Sequence, residues 1–141
     1  MKKNSVIKFL TIISLLFAVS CSSIPLSKTD EVKSLTQRVK KYMQAKSDNK
    51  WDIVYSLFDS SSKKNISKNQ FISIPRNIIF KTFTIGDIQI LNTGTEAVVR
   101  VKVNISIQQF DFKDAPEKQT WIKENGKWFI KIKNEKFNPI K

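Results

Sequence analysis

The side chains that carry most enzymatic chemistry are scarce in this chain of 141 residues, which has no histidine and a single cysteine, Cys21. The absence of histidine excludes Ser-His and Cys-His nucleophile pairs, His-ligated zinc sites and the commonest general base. A single cysteine excludes an intramolecular disulfide. The three glycines form no phosphate-binding loop, and the acidic residues form no paired-carboxylate or metal-ligand motif. The sequence therefore predicts a protein that is not an enzyme and that uses no metal or other cofactor.

Four residues are the only candidates for acid-base chemistry that the sequence suggests, and they are Tyr42, Tyr55, Asp87 and Asp111. They would form a site if the fold brought them together in one pocket. Nothing in their spacing requires this. The tyrosines lie at helical spacing among apolar residues, Asp87 follows Gly86 in a turn, and Asp111 stands at a strand end. We predict structural roles for all four.

The tryptophans allow a second kind of site, because an aromatic ring beside lysines is a common platform for sugars or bases. The three candidates are Trp51, Trp121 and Trp128. Each is in phase with the apolar residues of its own predicted element. We therefore expect all three in the core.

The net charge of +13 suggests a polyanion as partner, because a strong positive field concentrates anions. Three lysines lie in the first twenty residues and all twelve acids lie beyond them, so the remainder keeps +10. A bias toward A/T-rich codons explains the abundant lysine equally well. So does the placement of charged side chains on exposed strands, where they prevent aggregation. We expect only weak, salt-dependent polyanion binding and no sequence-specific nucleic-acid binding. The candidate basic face comprises Arg100, Lys102, Lys123, Lys127, Lys131, Lys133 and Lys136.

The first twenty residues have the pattern of an export signal. Lys2 and Lys3 precede an apolar run from Phe9 to Val19. This run is shorter than the roughly 20 apolar residues of a transmembrane helix. The segment is therefore predicted to direct secretion rather than to span a membrane.

The end of this leader, Ala18-Val19-Ser20-Cys21, resembles the lipobox of bacterial lipoproteins. The resemblance implies cleavage between Ser20 and Cys21 and acyl chains on Cys21 that hold the protein to a lipid bilayer. It also implies a location in the cell envelope, with Ser22 compatible with outer-membrane sorting where the bacterium has two membranes. The alternative is an ordinary secretory signal, because Ala18-Val19-Ser20 also fits the small-x-small cleavage rule. The predicted organisation is a signal peptide (1–20), a lipidated cysteine and tether (21–28) and one domain (29–141).

Helical periodicity dominates the first half of that domain. Ser27 is a candidate cap for a helix from Thr29 to Lys46, and Asp48 or Asn49 is a candidate cap for a second helix. The second helix carries Trp51, Val54, Tyr55 and Phe58 on one face, and a loop over residues 60–65 follows it. A third, short helix is indicated by a capping box of Ser67 with Gln70 and a hydrophobic staple of Ile66 with Phe71.

In the second half of the domain, apolar and polar residues alternate with a period of two. A strand containing Phe83 and Ile85 is predicted to change phase at a bulge at Gly86-Asp87 before Ile88 and Ile90. Asn92-Thr93-Gly94 is a turn, and the next strand buries Ala97, Val99, Val101, Val103, Ile105 and Ile107. Asn125-Gly126 predicts a type I′ hairpin. Counting outward from this turn pairs Glu124 with Lys127 and Trp121 with Ile130, which places Trp121, Trp128, Ile130 and Ile132 on the core side.

This order of elements, with the terminal hairpin Trp-Ile-Lys-Glu-Asn-Gly-Lys-Trp-Phe-Ile, resembles the nuclear transport factor 2-like or cystatin-like fold. The resemblance implies an α+β domain in which three N-terminal helices pack on a curved four-stranded antiparallel sheet, a cone that often has a pocket at its open end.

Three functions remain open at this stage. The first is a non-catalytic binding module for an envelope protein or a small apolar ligand. The second is an enzyme of the ketosteroid isomerase or SnoaL type, and the third is a basic surface protein that binds anionic glycans. Fold alone does not transfer a function.

Overall fold

The computed structural model describes residues 28–91 and 94–133, and these form four helices followed by four strands. The helices are α1 (Lys28–Ser47), α2 (Trp51–Ser56), α3 (Ser60–Asn65) and α4 (Lys68–Ser73). The strands are β1 (Ile78–Leu91), β2 (Glu96–Ile107), β3 (Phe110–Glu124) and β4 (Lys127–Lys131). They form one antiparallel sheet in the order β1-β2-β3-β4. The predicted α+β class and the four-stranded sheet are confirmed.

Helix α1 contributes more buried apolar residues to the core than any other helix of the described residues. Leu35, Val39, Tyr42 and Met43 recur at helical spacing and are buried. The helix exceeds the predicted bounds by one residue at each end, and the predicted cap Ser27 lies outside the described residues. No helix of the described residues is long and apolar enough to cross a membrane.

The predicted cap of α2 is wrong. Lys50 occupies the N-cap position and makes no capping hydrogen bond through its side chain. Asn49 instead has a positive φ of 56°, and the Asp48 carboxylate accepts hydrogen bonds from the side chains of Gln44 and Lys50. Asp48 and Asn49 therefore shape the turn between α1 and α2, and neither of them caps α2.

The prediction of three helices is also wrong, because the segment predicted as a loop forms α3. Asp59 caps this helix by accepting a hydrogen bond from the Ser62 backbone N–H at 3.0 Å. The Glu124 carboxylate of β3 accepts from the Ser60 backbone N–H and hydroxyl. A local cap and a distant carboxylate thus stabilise a polar sequence as a helix. In α4, by contrast, the predicted capping box of Ser67 and Gln70 is confirmed.

The sheet contains three irregularities, of which one was predicted. The pairing of β1 with β2 passes from Ile85–Val101 to Ile88–Val99, which confirms the bulge at Gly86-Asp87. A Cβ on Gly86 would lie 3.1 Å from the Arg100 carbonyl oxygen, so glycine suits this close approach. The other two shifts lie at Lys81 in β1 and near Asp114 in β3.

The terminal hairpin has the predicted register, from Glu124–Lys127 to Trp121–Ile130. Trp121, Trp128 and Ile130 are buried and Ile132 is half-buried, so the predicted inward side is confirmed. Strand β4 is much shorter than β3 and pairs only with residues 120–124. Along residues 110–119, β3 has no strand partner on that side among the described residues.

The sheet face toward the helices, here called the inner face, holds the strand residues of the core. The predicted alternation of β2 is confirmed for Ala97, Val99, Val101 and Val103, which are all buried. Ile105 continues the same face but is only half-buried, as is Ile107. The far end of the inner face is therefore partly open.

Candidate functional site: an apolar cavity

A cavity of about 400 Å³ lies between the C-terminal end of α1, helices α2 and α4, and the beginning of β1. Tyr42 and Lys46 project into it from the same face of α1, because they are four residues apart. The link between α4 and β1 contributes Arg76. Apolar side chains form most of the remaining wall, among them Trp51, Val54, Phe58, Phe71, Ile78 and Phe80.

Lys46 and Glu117 form a buried ion pair at this wall. The Lys46 ammonium lies 2.9 Å from one Glu117 carboxylate oxygen and 3.1 Å from the other. It also lies 4.0 Å from the centre of the Phe80 ring and 5.3 Å from that of Tyr42. The carboxylate and the two ring faces compensate the desolvation of the ammonium group.

A chain of hydrogen bonds extends from this pair into the core. Gln119 donates to the Glu117 carboxylate at 2.9 Å and accepts from the Trp121 indole N–H at 3.0 Å. The three residues alternate along β3 and therefore share the inner face. Glu117 is thus fixed by neighbours on both sides.

Tyr42 lies beside the same carboxylate. Burial, reinforced by the negative charge of Glu117, raises the pKa of the Tyr42 hydroxyl above its ordinary value. Its ring packs edge-on against Trp121 at 5.9 Å between centroids. The hydroxyl therefore stays protonated at neutral pH and can only donate or accept hydrogen bonds there.

Arg76 is held flat against the aromatic wall. Its guanidinium carbon lies 3.9 Å from the centre of the Trp51 ring and 4.7 Å from that of Phe71. The guanidinium donates to the backbone carbonyls of Phe71, Ile72 and Ile74 at 2.7–3.3 Å. Partial burial lowers the pKa of Arg76 from its ordinary value, which still leaves it cationic at neutral pH.

The four predicted acid-base candidates do not converge. Tyr42 lines the cavity, but the Tyr55 hydroxyl donates to the Ile66 carbonyl at 3.0 Å. Asp87 is exposed and pairs with Arg100, whereas Asp111 is exposed and pairs with Lys81, which lowers the pKa of Asp111. Tyr55 and Asp111 thus have the structural environments that the sequence predicted, whereas Asp87 lies at a bulge within β1 and not in a turn.

The tryptophans divide into two groups. Trp121 and Trp128 are fully buried, as predicted. Trp51 is only half-buried, because one side of its ring faces the cavity and the Arg76 guanidinium. The prediction of a core position is therefore only partly right for Trp51.

Sequence reasoning missed Lys46, Glu117 and Arg76. A signal for the first two was present, since Lys46 follows Met43 at helical spacing and Glu117 precedes Trp121 in phase with the core. A charged residue in an apolar stripe indicates a buried ion pair. Arg76 gave no such signal, because it lies in an irregular link after Pro75.

The basic residues do not form one surface. Arg100, Lys102, Lys127 and Lys131 share the outer face of the sheet, opposite the helices. Lys123 lies on the inner side and pairs with Glu31 of α1, so it does not belong to the proposed basic face. Lys133 is exposed after β4, and Lys136 lies outside the described residues.

Other predicted site residues cannot be placed in this structure. Ser20, Cys21 and the tether lie outside the described residues, as do Asn92 and Thr93 of the predicted turn. Within residues 28–91 and 94–133, no group of three or more Cys, Asp or Glu side chains is arranged to hold a metal ion.

The sequence matches no protein-family model and no curated protein. Its structure is similar to that of a SEC-C motif-containing protein from Rhodopseudomonas palustris, with a TM-score of 0.52 and 11% identity. This likeness covers 78% of the present chain and 92% of the other, and shows a shared fold only. A protein of unknown function with a cystatin-like fold, from Nostoc punctiforme, has a TM-score of 0.47 and 12% identity over 76% of this chain and 90% of that one.

Proposed function

We propose that this protein is a lipid-anchored binding module of the bacterial cell envelope, with a nuclear transport factor 2-like domain that holds a small apolar ligand. The cavity beside α1 is the observation that carries the proposal. Its volume of about 400 Å³ is in the range of ligand sites, and its wall is mainly apolar with a few polar groups. Acyl chains on Cys21, after cleavage behind Ser20, would hold the domain at the membrane surface.

An enzyme of the ketosteroid isomerase type is the second candidate, because Tyr42 lines the cavity and the carboxylate of Glu117 is bound to Lys46 at its wall. A general base needs a carboxylate that is free to accept a proton from the substrate. Both Glu117 oxygens instead accept from Lys46, and one of them also accepts from Gln119. These contacts favour binding over turnover. Conversion of a steroid or polyketide panel that is lost in both Tyr42→Phe and Glu117→Gln would favour the enzyme.

Polyanion binding at the outer face is a weaker proposal. Arg100 is already paired with Asp87, and Lys102, Lys127 and Lys131 are exposed to solvent. Any affinity for heparin-like polymers should therefore fall steeply between low and physiological salt.

The anchor is tested by Cys21→Ala in the full chain. We expect an uncleaved precursor, and no acylated mature form that partitions into detergent. Ser22→Ala serves as the control and should be processed normally. Normal cleavage of Cys21→Ala with full membrane retention would disprove lipidation at this residue.

Ligand binding is tested with the neutral fluorescent probe N-phenyl-1-naphthylamine. The core residues identified above lie between Leu35 and Ile132, so a chain that begins at Ser22 keeps all of them. We expect the probe to bind this chain and Ile78→Trp to weaken it about tenfold by filling the cavity. Ile79→Trp is the matched control, because Ile79 is 61% exposed, does not line the cavity and lies on the outer face. Absence of probe binding, or equal effects of both substitutions, would contradict the proposal.

A further inference from the structure

We infer that the ligand of this cavity carries an anionic oxygen group, a carboxylate or a phosphate, which binds the guanidinium of Arg76. This inference rests on the proposed function, because it specifies the ligand of the same cavity. It depends on the charge of the cavity wall, the fixed geometry of Arg76 and the shape of the adjoining apolar surface.

The charge of the wall is unbalanced at Arg76. Among the described residues, Lys46 and Arg76 are the two cationic side chains that line the cavity, and Lys46 is neutralised by Glu117. Arg76 takes part in none of the ion pairs formed among the described residues. A partly buried guanidinium that has no carboxylate partner among these residues would be stabilised further by an anion at this position.

The guanidinium of Arg76 is already fixed in position. Three backbone carbonyls and the faces of Trp51 and Phe71 hold it, so little side-chain freedom would be lost on binding. Arginine has five N–H donors, and the hydrogen bonds within the domain use three of them. The remaining donors match the two oxygens of a carboxylate or phosphate edge.

An apolar surface continues from the cavity along the open end of the inner face. Ile78 and Phe80 line the cavity, and they pair with Ile107 and Ile105 of β2, which pair in turn with Phe110 and Phe112 of β3. Phe110 is 71% exposed and Phe112 is 48% exposed. An exposed apolar patch of this kind is typical of a binding surface. The arrangement suits an amphiphile with its anionic group at Arg76, its apolar body in the cavity and, if it is long, its tail on this patch.

Calorimetric titration of the chain from Ser22 with decanoate, decyl phosphate and decanol tests the inference. We expect the wild-type chain to bind at least one of the two anions about tenfold more tightly than decanol. Arg76→Met keeps an apolar stem without the charge and should bind anion and alcohol equally. Arg100→Met is the control, because Arg100 is 58% exposed at its side chain and pairs with Asp87 on the outer face. It should leave the preference unchanged.

The relative affinities of the wild-type chain for the two anions and for decanol test the inference even if Arg76→Met does not fold. Equal affinity for decanol and both anions would overturn the inference and leave the proposed function intact. Binding of none of the three, together with no binding of the neutral probe, would instead refute the proposed function. A preference for decyl phosphate over decanoate would identify a phosphate-bearing ligand, and the reverse order a carboxylate. An anion preference that persists in Arg76→Met would place the anion elsewhere and refute the assignment to Arg76.

Discussion

The ammonium of Lys46 contacts both carboxylate oxygens of Glu117, a residue 71 positions further along the chain. The two side chains are only 9% and 18% exposed. The pair connects the end of α1 with the middle of β3 at the wall of the cavity. It therefore fixes the end of α1 against the sheet and helps to shape the wall of the cavity.

Removal of one member of this pair should be more damaging than removal of both. Glu117→Leu removes the carboxylate that accepts hydrogen bonds from Lys46 and Gln119, and should lower the free energy of unfolding by about 3 kcal/mol. The double variant with Lys46→Met should be more stable than Glu117→Leu alone, which urea denaturation can measure. Lys50→Met, at an exposed pair with Asp48, should change stability by less than about 1 kcal/mol. Strict additivity of the two single changes would argue against coupling.

The raised pKa of Tyr42 predicts a loss of stability in alkali. The unfolded chain has an ordinary tyrosine pKa of about 10, whereas the folded pKa is higher, so the stabilising contribution is complete below pH 10. It should decline as the pH rises above that value, because only the unfolded chain releases the proton readily. Urea denaturation of wild type and Tyr42→Phe from about pH 9 to 11 should give a shallower decline for the variant. Parallel curves would show that Tyr42 ionises equally in both states.

The hairpin register predicts that substitutions on its inner face lower the stability of the domain far more than substitutions on its outer face. Trp121→Ala and Trp128→Ala should each lower the free energy of unfolding by about 3–5 kcal/mol, since both rings are fully buried. Lys131→Ala, exposed on the outer face, should have almost no effect in the same denaturation experiment. Small and equal effects at the three positions would mean that the assignment of the inner face is wrong.

The turn of the same hairpin depends on backbone conformation. Asn125 and Gly126 have φ values of 48° and 75°, as a type I′ turn requires. Gly126→Ala should cost about 1–2 kcal/mol, because a Cβ is unfavourable in the left-handed region. No atom lies within 4 Å of the position of that Cβ, so the cost would arise from the backbone alone. Asn125→Gly should be nearly neutral, and a Gly126→Ala variant of unchanged melting temperature would contradict this account.

Local patterns predicted the sheet well, because alternation and turn chemistry act over a few residues. The pair Asn125-Gly126 determines the register of β3 with β4, and the change of phase at Gly86-Asp87 reveals a bulge. The bulges at Lys81 and near Asp114 were missed because no glycine marks either of them, although the inward-facing residues change phase there, from Phe80 to Phe83 and from Phe112 to Ala115. Helix α3 was missed for a different reason. Part of its stabilisation comes from the hydrogen bond that Ser60 donates to Glu124, which lies 64 residues further along the chain.

The cavity was much less predictable than the fold. Tyr42 was recognised as a candidate, but its partner Glu117 is brought near it only by the packing of α1 against the sheet. Arg76 is held by three backbone carbonyls and by the rings of Trp51 and Phe71; both rings were noted in the sequence, but their contact with Arg76 was not. A site built from contacts between distant elements has no local signature.

The short length of β4 has a consequence for neighbouring copies of the protein. Residues 110–119 of β3 pair with no strand on the β4 side within the described part of the chain, and such strand edges can recruit the strand of another molecule. Pro116 removes one backbone donor from this stretch, and the positive φ of Asp114 interrupts its regular course. Lys113 and Lys118 add charges that a second identical edge would repel. If the chain is anchored as proposed, copies crowded side by side on a bilayer would thus be discouraged from joining their sheets, and the domain would remain a separate unit at high surface density.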